Sequence, residues 1–155
     1  MEENNYYTPD IEDLFVGYEC QKESVDKDGN DIWVDYKISF EYGWLEIPKD
    51  YNQQLRTKYL DKEDIESLGW KCFKTENFSN SYFEDIREFY RIPTIEGHLN
   101  GFYWELLPNY KRHLIGIWLC NENNPSGNRS FAGKCLSINE LKKIMKYLNI
   151  PTNGQ

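Results

Sequence analysis

From Ile32 to Trp44 the chain alternates with a period of two. Ile32, Val34, Tyr36, Ile38, Phe40, Tyr42 and Trp44 interleave with Trp33, Asp35, Lys37, Ser39, Glu41 and Gly43. Successive side chains of an extended strand leave on opposite faces, so this run predicts a long half-buried strand. Leu14, Val16, Tyr18 and Cys20 show the same period just before it. Between the two runs, Asp26-Lys27-Asp28-Gly29-Asn30-Asp31 is a turn by composition, which predicts a hairpin across the Asp-Gly step. Phe102 to Leu107 and Leu114 to Cys120 predict a second strand pair. The latter is apolar on both faces, as a central strand must be. Leu55 to Leu60, Trp70 to Lys74 and Phe131 to Leu136 read as shorter strands.

Helical signals are few. Ala132 is the sole alanine, so the best helix former is nearly absent. Thr8-Pro9-Asp10 reads as a helix start. Asp61 caps a short helix over Lys62 to Leu68, closed by Gly69 where a left-handed residue fits. Ser137-Ile138-Asn139-Glu140 reads as a capping box opening a C-terminal helix over about 137–149, with Ile138, Leu141, Ile144, Met145 and Leu148 as its stripe. The cap predicts that Ser137→Ala costs about 1 kcal/mol. Segment 81–92 is ambiguous. Ser81 and Glu84 fit a capping box, yet Phe89 to Ile92 fits an extended chain. The sum is an α+β class: a mostly antiparallel, aromatic-rich β-sheet with a short middle helix and a C-terminal helix packed on one face.

At 155 residues, with no linker and no repeat, the chain reads as a single domain, 1–155, with an acidic N-terminal segment at 1–13. Residues 1–35 hold 11 acids and 2 bases, and the remainder is nearly balanced. No basic footprint is visible, which argues against duplex nucleic acid as a partner. No run approaches the roughly 18 apolar residues of a membrane span. The acidic opening is not an export signal. Cys20, Cys72, Cys120 and Cys135 are widely spaced, and three fall in apolar segments, which points to reduced thiols in a cytoplasm.

Catalytic and metal grammar is poor. Asp26, Asp28 and Asn30 have calcium-loop spacing, but Asp31 and Lys37 stand where that loop requires Gly and Glu. Gly127 to Cys135 approaches a phosphate loop, with one residue too many between its glycines and Cys135 where Ser or Thr belongs. His98 and His113 lack zinc spacing to any cysteine. Asp61, Glu63, Asp64 and Glu66 read as helix-starting charges. Nothing here calls for a metal or a cofactor. A Cys–His or carboxylate constellation, as in a small hydrolase, has to assemble in the fold.

The 12 Tyr, 8 Phe and 5 Trp are the feature with binding potential. Rings and cations together hold a base by stacking and a phosphate by charge-assisted bonds. Tyr103, Trp104, Arg112, Trp118 and Arg129 are the residues placed by this reasoning at a ligand site, with Arg87, Arg91 and Lys111 near them in sequence. The plainer alternative is that the rings replace missing aliphatics in a core or cover a subunit interface in a homo-oligomer.

Three segments carry a resemblance. Tyr7-Thr8-Pro9-Asp10-Ile11-Glu12-Asp13-Leu14-Phe15-Val16-Gly17, then Lys58 to Trp70, then Gly133-Lys134 with Asn139 to Leu148, resemble small proteins of gut Bacteroidales and their phages, a family of unknown function. They cover roughly a third of the chain, and residues 75–113 depart from it. The resemblance implies a phage or mobile-element origin and supplies no catalytic residue. The expectation is a non-catalytic binding protein, acting in counter-defence, that sequesters a nucleotide-type signal molecule. The alternatives are a protein-interaction module using the acidic N-terminal surface on a host protein, and, less favoured, an enzyme of hydrolase type.

Overall fold

The computed structural model describes residues 5–41, 44–45, 47, 54–80, 83–94 and 101–152, and their strands pair antiparallel throughout. Read from the sequence as one domain, the chain groups into two compact units, Met1–Tyr59 and Leu60–Gln155, each built on its own main sheet.

In the first unit, strands β1 (Tyr6–Tyr7), β2 (Glu19–Val25), β3 (Asp31–Lys37) and β6 (Leu55–Lys58) form a sheet in the order β1-β6-β2-β3. The Asp-Gly hairpin forms between β2 and β3, with Val25 opposite Asp31. Its turn is organised by one carboxylate: Asp26 Oδ1 accepts from the backbone N–H of Asp28 and of Asn30, and Asn30 Nδ2 donates to Oδ2. Gly29, at φ 85, supplies the positive φ that the turn needs.

The long alternating run is divided. β3 ends at Lys37, and a separate small hairpin follows, β4 (Phe40–Glu41) with β5 (Trp44–Leu45). Ile38 is the hinge: it is buried and exchanges backbone bonds with Gly17 and Tyr18. The core of this unit is Leu14, Tyr18, Cys20, Ile38 and Leu55. It covers only the Tyr36 end of the hairpin. Ile32 and Val34, on the same face as buried Cys20, stand exposed toward the turn. The Thr8-Pro9-Asp10 start yields a single 3-10 turn, Ile11–Asp13, with no side-chain cap.

In the second unit, strands β7 (Lys71–Asn80), β8 (Phe83–Pro93), β9 (Phe102–Asn109), β10 (Leu114–Asn121) and β11 (Asn124–Lys134) form a five-stranded meander, each beside its sequence neighbour. The ambiguous segment is therefore strand β8 over its described residues; Ser81 and Tyr82 lie outside them. Pairing on both sides overrides the local helical signal, and Tyr90 and Ile92 alternate into the core.

Both helices are present. The middle helix (Lys62–Ser67) opens on a reciprocal box, in which Asp61 accepts from the Asp64 N–H and Asp64 accepts from the Asp61 N–H. Gly69 closes it at φ 98. The C-terminal helix (Ile138–Tyr147) departs from its expected cap. Ser137 Oγ is buried and bonds nothing among the described residues. Instead Glu140 Oε2 accepts the Leu136 N–H at 2.6 Å, one residue further back. Leu141 and Met145 of this helix share a core cluster with Trp70, Tyr90, Leu106 and Ile117, and Trp70 Nε1 donates to Met145 Sδ. Among the described residues no helix is long and apolar enough to cross a membrane.

Candidate functional site

Strand geometry sorts the second sheet into two faces. Tyr90, Ile92, Trp104, Leu106, Ile115 and Ile117 face the core. Their neighbours Arg91, Glu105 and Trp118 face outward, and register aligns these with Lys71 and Arg129 in one line across all five strands. Adjacent strands are about 4.8 Å apart, so the line spans roughly 19 Å.

Four of the five, Arg91, Glu105, Trp118 and Arg129, contact their neighbours. The Arg91 guanidinium carbon stands 3.6 Å from the Phe73 ring centroid and 4.3 Å from that of Tyr103. Its Nε and Nη2 both donate to Glu105 Oε2 at 3.2 Å. A cation between two rings and tied to a carboxylate is a fixed post rather than a mobile charge. Phe73 also meets Phe89 edge to face, with centroids 6.2 Å apart. Phe73 shares this face with Lys71 by plain alternation, and the register shift beside it brings Lys74 opposite Phe89.

Trp118 takes a different posture. Its indole lies across Gly116, so close that a Cβ there would stand 2.6 Å from Cζ3. Glycine is what lets the ring occupy the space over residue 116. Arg129, exposed on edge strand β11, holds its guanidinium 5.8 Å from the Trp118 centroid. The result is a half-buried indole backed by peptide, with a cation on one flank and a carboxylate on the other.

Of the residues singled out from sequence, the fold brings Tyr103, Trp118 and Arg129 to this face. It does not bring Trp104, whose side chain is 9% exposed on the core face, because it alternates with Tyr103. Nor does it bring Arg112. That residue sits in a 3-10 turn, Tyr110–Arg112, at the end of the β9–β10 hairpin remote from Tyr103. Sequence reasoning missed Glu105 and Phe73 and left Arg91 among the bystanders. Both Glu105 and Phe73 were findable by period two, Glu105 being one step from Trp104 and Phe73 one step from Cys72, which packs against the core.

The first sheet repeats the ring–arginine–ring device. Arg56 stands 4.0 Å from the Tyr6 centroid and 4.2 Å from that of Trp33. Its Nε donates to Gln21, which donates to Asp35.

Two other constellations read as structural. Glu88 Oε2 accepts from the Tyr90 and Tyr110 hydroxyls at 2.7 and 3.4 Å, and Oε1 accepts from Lys62 at 3.3 Å. Burial raises both phenols well above their ordinary range, so they are fixed donors and not bases. Cys20, Cys120 and Cys135 are free thiols, all pushed upward by burial, Cys20 to about 11. A nucleophilic cysteine needs the opposite shift. His113 caps the Tyr110–Arg112 turn in a left-handed conformation, and His98 lies outside the described residues. No family model matches the chain, and no curated protein or solved structure does either.

Proposed function

We propose that this is a non-catalytic binding protein whose ligand face is the outer side of the five-stranded sheet, and that the ligand is of nucleotide type. The observation that carries the reading is the Trp118 indole laid across Gly116 beside Arg129. A half-buried indole on the outer side of a sheet suits the stacking of a planar base, and an exposed arginine at its border suits a phosphate. The buried thiols and phenols support binding over catalysis, because none is tuned toward nucleophile or base. The resemblance to phage proteins of gut bacteria adds a setting in which sequestering a nucleotide signal serves the phage.

Calorimetry against mononucleotides, cyclic dinucleotides and ADP-ribose derivatives tests this. Heat with at least one member, lost in Trp118→Ala, is the expected result. No heat with any member removes the reading.

One observation favours a second reading, a protein-interaction module. β3 closes one edge of the first sheet, with Ile32 and Val34 exposed on one face and Asp31 and Asp35 on the other. An added basic strand would find both apolar and charged complements there. Capture of a host protein that weakens in high salt and in Val34→Lys is its signature; salt-insensitive capture argues against it.

A further inference from the structure

The Trp118 platform has a directional neighbour, and that direction selects among bases. Glu105 is the cross-strand partner of Trp118, so their Cβ atoms lie about 4.5–5.5 Å apart on the same face. Both Arg91 bonds fall on Glu105 Oε2, and among the described residues Oε1 accepts none. The carboxylate is thus oriented from one side, by a guanidinium itself fixed between Phe73 and Tyr103, with acceptor capacity left on the other. The Glu105 side chain is only 16% exposed, which raises the cost of leaving those lone pairs without a donor when a ligand covers them.

A planar base stacked on Trp118 presents its edge to this carboxylate. An ionised carboxylate is acceptor-only. Guanine alone among the common bases offers two adjacent donors there, N1–H and the 2-amino group. Adenine and cytosine each set a ring acceptor beside their amino group, and uracil flanks one donor with two carbonyls. We infer that the Trp118–Glu105–Arg129 group is a guanine-nucleotide site: Trp118 stacks the base, Glu105 accepts from N1–H and the 2-amino group, and Arg129 takes the phosphate. This rests on the nucleotide reading above and narrows it. Arg91 is a positioning residue, acting on the ligand through Glu105.

The test reads quenching of tryptophan emission by guanosine, inosine and adenosine monophosphates in the full chain, with Trp118→Phe as the reference that isolates one indole. We expect the guanosine compound to bind about tenfold or more tightly than the adenosine one, with inosine, which lacks the 2-amino group, between them. Glu105→Gln should erase that order without weakening the adenosine compound. Arg129→Gln should reduce guanosine monophosphate to the affinity of guanosine. The ligand ranking in the unaltered protein needs no variant to fold. Equal affinity for all three overturns the guanine assignment while leaving Trp118 as a stacking platform. Quenching that is absent, or unchanged in Trp118→Phe, removes the platform itself. A short guanine-rich single strand that outbinds guanosine monophosphate identifies a strand as the source; parity identifies the free nucleotide.

Discussion

Trp118 and Gly116, two residues apart on one strand, form a single unit: the indole occupies the space that any side chain at 116 would need, with Cζ3 2.6 Å and Cζ2 3.1 Å from an added Cβ. Gly116→Ala therefore forces the ring off the sheet. We expect a loss of about 1–3 kcal/mol, read from the urea midpoint, together with a red shift of tryptophan emission as the indole meets water. A midpoint and spectrum matching the parent contradict the close contact of the ring with Gly116.

Arg91 is the second fixed point of that face. Lysine in its place keeps the charge and loses the planar group between Phe73 and Tyr103, along with both bonds to Glu105. We expect Arg91→Lys to cost about 1–2 kcal/mol by chemical denaturation, although the charge is unchanged. A smaller loss than Lys71→Ala, made at the same row's exposed end, argues that the sandwich contributes nothing.

The C-terminal helix separates two roles that its opening sequence merges. Ser137 Oγ bonds nothing among the described residues, whereas Glu140 holds the Leu136 N–H. Ser137→Ala should fall within about 0.5 kcal/mol of the parent. Glu140→Ala should cost about 1–2 kcal/mol by orphaning that N–H. Thermal melts of the pair decide; the reverse ranking restores the serine cap.

That pair also shows what was legible in advance. The class of fold, the Asp-Gly hairpin, the Asp61 cap and the central strand β10 follow from local rules of period and turn chemistry. The Ser137 cap failed because a capping box fixes residue types and not which N–H each side chain reaches. The unity of residues 32–44 failed because alternation says nothing of where strand pairing ends, and here β3 leaves β2 at Lys37 while Ile38 is buried in the core and bonds Gly17 and Tyr18 instead. At the site, period two was enough to put Tyr103, Glu105 and Trp118 on one side and Trp104 on the other, once the core face was known. The alignment with Arg91 and Arg129 depends on register across three hairpins, which no local pattern encodes.

Burial holds the Cys20 thiol at about 11 against an ordinary 9.0. The unfolded thiol then ionises before the folded one, so its contribution to stability is full below pH 9 and is lost as pH rises toward 11. We expect the alkaline fall in stability between these values to be shallower in Cys20→Ala than in the parent, whatever the offset from the lost side chain. At pH 8, Cys72, the one thiol of the four that is not buried, should react first with a disulfide reagent, and Cys20, Cys120 and Cys135 only on unfolding. Rapid modification of more than one thiol contradicts the packing.

The central claim is that the outer face of the five-stranded sheet is where the ligand sits. Backbone amide shifts recorded during titration with guanosine monophosphate test it most directly. The changes should concentrate at Arg91, Glu105, Gly116, Trp118 and Arg129, members of one row and its backing glycine. Changes centred on the first sheet, or spectra that do not move at saturating nucleotide, contradict it.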